Sequence, residues 1–227
     1  MWAVVPLKRL EQAKARLASV LSADERRSLM LAMARDVLSA LSRSSTLTGI
    51  LLVSRTAEAD ALAQSFNTER FAESPSANLS ESLVQASDYL IGQFRASGVM
   101  IVPADVPLIT PAEIDGILHQ HHESGTRSVT VVPDDDHIGT NCLICSPPNC
   151  ISYLFDGKSF KPHLDAASAA GITPTVMPSA GFALDIDTPA DLRTLLRRDP
   201  ASQTAAYLAK SGIARRLADS DHSLTSS

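Results

Sequence analysis

The stretch GVMIVPADVPL, residues 98–108, decides the fold class of this chain. It begins with a continuous apolar run, which is typical of a strand buried on both faces of a sheet. Asp105 follows at once, so a carboxylate stands where the predicted strand 98–103 ends. In a parallel α/β sheet that end is the usual place for ligand contacts. Asp105 is therefore a candidate site residue, and the alternative is an ordinary turn residue before Pro107.

Short apolar runs alternate with helical patterns along most of the chain. Ser22 and Glu25 form a capping-box pattern before a helical run of leucines and methionines, and Thr110 and Thr188 mark two further helix starts. Strands that alternate with helices predict an α/β fold with a mixed, mostly parallel central sheet. We predict strands at 2–6, 49–54, 98–103, 128–132, 141–145 and 174–177, and helices at 23–41, 56–64 and 79–94.

Two more carboxylates stand in GFALDIDTPADL, residues 181–192, before a predicted helix start. In an extended segment, Asp185 and Asp187 would project together while Ile186 faces the core. Close carboxylates repel, and a shared proton or a divalent cation relieves the repulsion. Since magnesium prefers oxygen ligands, Asp185 and Asp187 are candidate ligands together with Asp105. The alternative for Asp187 is an interaction with the positive end of the helix.

The chain lacks both familiar glycine-rich phosphate loops, G-x-G-x-x-G and G-x-x-x-x-G-K-[ST]. Four cationic residues instead follow the first predicted strand: Lys8, Arg9, Lys14 and Arg16. Such side chains could grip phosphates directly, arginine as a planar fork and lysine as a point charge. The alternative is the solvated face of a helix whose leucines turn inward.

Composition excludes several classes of protein. The chain has 227 residues, 44% of them hydrophobic, and a formal net charge of -5, so a basic nucleic-acid-binding surface is not expected. No apolar run is long enough for a transmembrane helix, and the first residues do not resemble a signal peptide. The three cysteines favour a reducing cytoplasm. We expect one domain over residues 1–198 and a polar, frayed C-terminal tail over 199–227.

The remaining acidic and histidine clusters have simpler interpretations. Three consecutive aspartates at 134–136 are more typical of a solvated turn than of a metal site. The histidines at 119, 121 and 122 end a predicted helix, where imidazolium would favour the negative end of the dipole.

Cys142 and Cys145 have the spacing of a zinc knuckle but lie in an apolar, strand-like run. On a strand the two sulfurs would face opposite sides, so we expect no structural zinc there. One of the two cysteines could instead line a pocket. His163 is a candidate anion ligand, and the alternative is an exposed surface histidine.

Taken together, these motifs resemble the guanylyltransferases of coenzyme F-420 biosynthesis, which act on 2-phospholactate, phosphoenolpyruvate or 3-phosphoglycerate. The resemblance covers residues 2–197 and rests on the order and separation of four stretches. They are VPLKRLEQAKARLASVLSADERRSLMLAMARDVL at 5–38, PADVPL at 103–108, GTN at 139–141 and DIDTPADL at 185–192.

The resemblance implies a Rossmann-like nucleotidyltransferase fold of the glycosyltransferase-A type. It implies Mg²⁺ held by Asp105, Asp185 and Asp187, with GTP and a small phosphorylated acid as substrates. Lys8 would contact phosphate, with Lys14 and Arg16 nearby. The remaining expected substrate contacts are Leu79, Ser80, Thr140, Asn141, Cys142, Ser159 and His163, of which Thr140 and Ser159 would face the phosphate or carboxylate of the acid.

The sequence departs from the family pattern in two stretches. Leu79 is followed by Ser80 where the family usually has asparagine near the nucleotide, so the details of base recognition are open. Cys142 and Cys145 follow GTN where small or aliphatic residues are common, which points toward an acid with a free hydroxyl such as 3-phosphoglycerate.

Other functions stay open at the level of sequence. They include a nucleotidyltransferase for a sugar-phosphate-like acceptor and a non-catalytic nucleotide-binding module. We expect neither a nucleic-acid nor a membrane partner, and a homodimer stays open.

Overall fold

The computed structural model describes residues 1–7 and 14–224. The described residues form a seven-stranded sheet with helices on both faces. The strands are β1 Trp2–Pro6, β2 Gly49–Val53, β3 Glu69–Phe71, β4 Val99–Ile101, β5 Ser128–Pro133, β6 Thr140–Ser146 and β7 Thr175–Val176. The helices are α1 Ala23–Ser42, α2 Ala57–Phe66, α3 Leu79–Phe94, α4 Pro111–Glu123, α5 Phe160–Ala169, α6 Pro189–Arg198, α7 Gln203–Lys210 and α8 Ile213–Leu224.

The sheet is mixed and mostly parallel, as the sequence predicts. Its strand order is β3-β2-β1-β4-β6-β5-β7. β1 pairs in parallel with β2 and β4, whereas β6 runs antiparallel to both of its neighbours, β4 and β5. The carboxyl ends of β1 and β4 therefore meet at one edge of the sheet, and the amino end of β6 reaches the same edge.

Helix starts follow the capping residues that the sequence shows. Four helices begin with a capping box, at Ser22, Asn78, Thr110 and Thr188. In each, the side chain of the capping residue accepts a hydrogen bond from the backbone N–H three residues on. The backbone N–H of the capping residue in turn donates to the carboxylate of that third residue. These reciprocal bonds satisfy backbone donors that a helix leaves unpaired at its start. The starts of α4, which follows β4, and of α6, which follows residues 185–187, are thereby fixed close to Asp105 and Asp187.

Alternate residues of each strand pack into two separate hydrophobic cores on opposite faces of the sheet. Val5 and Met100 pack on the side of α1 and α4, while Val4 and Ile101 pack on the side of α3 and α5. This follows from the twofold alternation of side chains along a strand. Cys142 belongs to the first core and Cys145 to the second, so their side chains face opposite sides of β6 as predicted.

The expectation of a frayed polar tail from residue 199 is wrong for its described part. α7 packs on α1, and Leu208, Ile213 and Leu217 are buried in the core. Asp36 of α1 accepts hydrogen bonds from the N–H groups of Gln203 and Thr204 at 2.9 and 2.8 Å. The polar composition is misleading because a few widely spaced apolar side chains suffice to bury one face of each helix.

Within the described residues, no helix combines the length and the hydropathy that crossing a membrane requires.

Candidate active site

Two adjoining cavities open at the carboxyl edge of β1 and β4. The small cavity, of about 270 Å³, has mostly apolar walls that include Leu83 and Ile101. The large cavity, of about 680 Å³, is lined mainly by polar and charged residues, although about half of its surface is apolar. Leu79, Phe155 and Asp187 line both cavities, so these three residues lie at their boundary.

Lys14 joins two of the three candidate carboxylates at this boundary. Its Nζ lies 2.5 Å from Asp105 Oδ2 and 2.6 Å from Asp187 Oδ1, and its side chain is only 5% exposed. Lys14 has a left-handed backbone, with φ of 58°, where the chain enters a short 3-10 helix at Ala15–Leu17. The Lys14 side chain turns into the site rather than toward solvent.

The segment Asp185–Asp187, called the DID segment here, lies outside the sheet. The N–H of Ile186 donates to the carbonyl of Asp105 at 3.0 Å, which brings the two carboxylate-bearing segments together. Ile186 is fully buried, whereas Asp185 and Asp187 are half-buried. The predicted alternation is therefore confirmed.

Asp185 and Lys14 carry the electrostatic signature of a crowded carboxylate cluster. Burial, and then the charges of Asp105 and Asp187, raise the pKa of Asp185 above its ordinary value. Burial alone would lower the pKa of Lys14, but its contacts with Asp105 and Asp187 outweigh burial and raise it. Lys14 therefore stays charged, and the cluster favours added positive charge.

The loop that carries Asp185 is anchored to α4 through Glu113. Glu113 Oε1 accepts hydrogen bonds from Ser179 Oγ and from the N–H of Gly181, both at 2.7 Å. A Cβ at Gly181 would lie 2.7 Å from the carbonyl oxygen of Leu108, so a larger residue would not fit. The sequence marks Glu113 only as a helix-capping residue, and its second role depends on a distant segment.

Within the described residues, no three histidine, cysteine, aspartate or glutamate side chains are arranged so that they could hold a metal ion. Lys14 Nζ occupies hydrogen-bonding positions on Asp105 and Asp187. A cation that bound both carboxylates would therefore share them with Lys14 or displace it.

Thr140 and Ser159 meet in the wall of the large cavity, and their contact with the acid stays a prediction. The N–H of Thr140 donates to Ser159 Oγ at 2.9 Å, and both residues are nearly buried. Ser159 precedes α5 but makes no side-chain cap to it. Its hydroxyl oxygen therefore accepts from Thr140 rather than from the first turn of α5.

His163 supports Thr140 from behind and does not face the cavity. The N–H of Leu154 donates to Nε2 of His163 at 2.9 Å, so Nδ1 carries the hydrogen and donates to Thr140 Oγ1 at 3.0 Å. Burial lowers the pKa of His163 to about 4, so the ring is neutral near pH 7. Both sequence interpretations, an anion ligand and an exposed histidine, are wrong because apolar neighbours enclose the ring.

Asn141 and Cys142 have different surroundings. Asn141 Nδ2 donates to the carbonyl of Phe182 at 2.8 Å and lies 3.4 Å from Asp185 Oδ1, so Asn141 holds the Asp185 loop. Cys142 is fully buried in the core, and burial raises its pKa. The expectation that Cys142 contacts the substrate is therefore wrong, because its position on β6 turns it away from the cavity.

The aspartates at 134–136 lie in a turn in which Asp135 and Asp136 are exposed, as predicted, and all three also line the large cavity. Asp134 accepts hydrogen bonds from the N–H groups of Ile138 and Gly139 at 2.8 and 2.7 Å, which orders the loop before β6. A Cβ at Gly139 would lie 2.8 Å from Asp134 Oδ2. The glycine of the GTN motif thus permits this close approach.

The other predicted site residues have varied positions. Leu79 is the first residue of α3 and lines both cavities, and Ser80 follows it in the first turn. Arg16 lines the large cavity, with Nη1 3.6 Å from Asp187 Oδ2, but it is 74% exposed. Lys8 and Arg9 lie outside the described residues.

The expectation that His121 is a charged residue at the end of a helix is wrong, because His121 is buried. It forms hydrogen bonds with Thr130 at 2.8 Å and Ser146 at 2.9 Å. Burial lowers its pKa to about 4, so it is neutral and does not act as a charged residue at the end of α4.

The large cavity has an excess of negative charge. Six aspartates line it, against only two cationic residues among the described ones, Arg16 and Lys158. Three of the aspartates are the consecutive 134–136 set, and the others are Asp185, Asp187 and Asp191. An anionic ligand would enter this cavity only with additional positive charge.

Comparison with known proteins identifies the relatives of the chain. The family described as "Guanylyl transferase CofC like" matches residues 1–225. The phosphoenolpyruvate guanylyltransferase of Sphaerobacter thermophilus is 35% identical over 203 residues, which cover 89% of this chain and 96% of that protein. The 2-phospho-L-lactate guanylyltransferase of Methanothermobacter thermautotrophicus is 31% identical over 208 residues, with 92% and 89% covered.

Solved structures with the same fold are more distant in sequence. A protein of Desulfovibrio desulfuricans assigned as a nucleotide-diphospho-sugar transferase has a TM-score of 0.76 at 18% identity, covering 95% of this chain and 97% of that one. A nucleotidyl transferase of Methanothermobacter thermautotrophicus has a TM-score of 0.64 at 16% identity, with 86% and 94% covered. The architecture is therefore that of the nucleotidyltransferases, as the sequence resemblance implies.

Proposed function

We propose, from the premise that this chain belongs to the family of CofC-like guanylyltransferases, that it transfers GMP from GTP to the phosphate of a small phosphorylated acid. Pyrophosphate is the second product. The observation that carries the proposal is the cluster of Asp105, Asp185, Asp187 and Lys14 at the boundary of two cavities of different polarity. On the sequence resemblance we assign the step to coenzyme F-420 biosynthesis.

The two cavities suit the two substrates. The apolar walls of the small cavity match the faces of a purine base, while the polar wall of the large cavity matches a small acid. The reacting phosphates would then meet at the boundary, next to Lys14 and Asp187. Phosphoenolpyruvate and 2-phospholactate are candidate acids because relatives are named for them, and 3-phosphoglycerate is a third.

The chemistry of the three carboxylates suits magnesium, although in this structure the described side chains are not arranged around a single metal position. Their oxygens are hard ligands, and the raised pKa of Asp185 indicates that a cation would relieve the repulsion among the three aspartates. We propose that Asp105, Asp185 and Asp187 hold Mg²⁺. When bound, magnesium supplies positive charge between the triphosphate and the incoming phosphate.

The side chains of this protein then bind and orient the phosphates. Lys14 keeps its charge, so it can move one contact from a carboxylate to a phosphate oxygen, and Arg16 is exposed enough to reach the same groups. The acceptor's phosphate oxygen attacks the α-phosphorus of GTP. Because that oxygen is already anionic near neutral pH, no side chain has to remove a proton from it. Thr140 and Ser159 would hold the acid in the large cavity.

The test is to identify the products. The protein is incubated with GTP and Mg²⁺ and with each of the three acids in turn, and products are analysed by mass spectrometry. We expect pyrophosphate and a guanylylated acid from at least one acid. GTP binding without turnover across the panel would favour a non-catalytic module, and turnover of sugar phosphates alone would favour the alternative transferase.

A further inference from the structure

Lys158 differs from the other described cations near the cavities because it has no anionic partner. Lys14 contacts two aspartates, and Arg16 lies near a third carboxylate oxygen. Among residues 1–7 and 14–224, no hydrogen bond or ion pair engages the Lys158 ammonium, although the residue lines a cavity with six aspartates. Its backbone N–H donates to Asp156 Oδ1 at 3.2 Å, which fixes the backbone and leaves the side chain available.

The neighbours of Lys158 in the cavity wall are donors. Ser159 Oγ accepts from the N–H of Thr140, and Thr140 Oγ1 accepts from His163, so both hydroxyl hydrogens can point toward a ligand. Thr140 is 4% exposed and Ser159 is 3% exposed, which makes these donors hard for bulk water to satisfy. Lys158, which is exposed, lines the same cavity as Thr140 and Ser159, and one ammonium together with two hydroxyl donors suits an anion.

Lys14 and Asp105 line the small cavity, whereas Asp185 and Asp187 line the large cavity together with Lys158, Thr140 and Ser159. Lys14, Asp105 and Asp187 lie at the boundary with the small cavity, where the proposed function requires the phosphate of the acid. An acid held there by its phosphate would present its second anionic group to the rest of the large cavity. In each of the candidate acids that group is a carboxylate.

We propose that Lys158 binds the carboxylate of the acceptor and thereby selects phosphorylated acids over neutral phosphate esters. This inference rests on the proposed function of the same site. It assigns Lys158 to substrate selection and gives it no part in the attack on GTP. The substrate class is accordingly a phosphate monoester with a carboxylate within a few bonds of the phosphate.

The test compares 2-phosphoglycolate with ethyl phosphate, which share a phosphate ester and differ by the carboxylate. Titration calorimetry in the presence of Mg²⁺ and the α,β-methylene analogue of GTP measures the affinity of each compound without turnover. We expect the wild-type protein to prefer phosphoglycolate. Lys158→Ala should reduce that preference roughly tenfold and leave the affinity for ethyl phosphate unchanged, because one charge-assisted contact is lost.

Lys161→Ala is the matched control. Lys161 lies three residues further on in α5, is highly exposed and pairs with Asp165 at 2.6 Å. It should leave both affinities unchanged. An unaltered preference in Lys158→Ala, or no preference in the wild type, overturns the inference. If the preference depends on Lys158 but no acid is guanylylated, the proposed function fails and the carboxylate site stands.

Discussion

At the scale of single residues, Asp185, a proposed ligand of Mg²⁺, carries a cost in stability. The pKa of Asp185 in the folded protein is raised above its ordinary value. At a pH above the ordinary pKa, the folded state therefore carries the cost of holding an ionised carboxylate in this site. At lower pH the group is protonated in both the folded and the unfolded state, and the cost disappears. Asp185→Asn removes the charge while keeping the shape. We expect kcat/KM to fall about a hundredfold or more, since one oriented charge contact is lost.

The stability of Asp185→Asn separates the loss of activity from any loss of folded structure. At pH 7 the melting temperature of Asp185→Asn should equal or exceed that of the wild type, and the difference should shrink toward pH 4. Calorimetric melting at several pH values measures this. Asp165→Asn, at an exposed carboxylate of α5, is the control and should change neither kcat/KM nor the melting temperature. Near-normal pyrophosphate release by Asp185→Asn would refute the role of the cluster.

His163 is a positioning residue whose neutral ring orients Thr140. Asparagine can imitate the Nδ1–H donor but not the Nε2 acceptor. We therefore expect His163→Ala to raise the KM for the acid roughly tenfold with little change in the KM for GTP, and His163→Asn to restore part of the loss. Steady-state kinetics with each substrate varied in turn measures the KM for the acid and the KM for GTP separately. Equal changes in both KM values would indicate a general loss of structure.

The buried His163 also makes stability depend on pH. Because its folded pKa of about 4 lies below the ordinary 6.5, the unfolded state binds more protons between these values. The wild type should therefore lose up to about 3 kcal/mol from this residue as the pH falls from 6.5 to 4. His163→Asn should lose correspondingly less over that range, as denaturant titrations at each pH would show. An identical pH dependence in both proteins would contradict the buried neutral ring.

At the scale of elements, the C-terminal helices depend on one carboxylate of α1. Asp36 accepts the first two backbone N–H groups of α7 and the hydroxyl of Thr204 at 2.6 Å. Asp36→Ala leaves these donors without a partner and should cost about 1–2 kcal/mol. We expect a lower melting temperature and faster proteolysis within residues 199–224. Asp219→Ala, at an exposed position of α8, should stay within about 0.5 kcal/mol of wild type.

Elements with local signals were predictable, and elements without them were not. The capping patterns at Ser22, Thr110 and Thr188 predicted the starts of α1, α4 and α6, because a cap and its partner lie three residues apart. The strand β3 was missed, since its three residues are too few to show alternation. The partner that stabilises α7 stands 167 residues earlier in the chain, beyond the reach of any local pattern.

At the scale of the whole molecule, the fold and the carboxylate cluster could be predicted, but the paired groups of the site could not. The order of motifs along the chain identified the family and grouped Asp105 with the DID segment. The ion pairs of Lys14 join residues 91 and 173 positions apart, and only the folded chain shows them. The environment of His163 was likewise hidden, because its two hydrogen-bonding partners, Thr140 at the start of β6 and Leu154 in the loop before α5, are distant from each other in the sequence.

The proposed metal site links the stability of the entire chain to its ligands. The large cavity carries more negative than positive residues, so GTP should bind weakly unless a divalent cation accompanies it. A ligand present at 100 times its Kd stabilises the folded state by about 2.7 kcal/mol, which raises the melting temperature of a chain of this size by roughly 5–10 °C. We expect that increase with GTP and Mg²⁺ together and little increase with GTP and EDTA. In Asp187→Asn the increase with Mg²⁺ should largely disappear, whereas Asp165→Asn should retain it. An equal increase with EDTA would show that side-chain cations alone hold the nucleotide, and the three aspartates would then need another explanation.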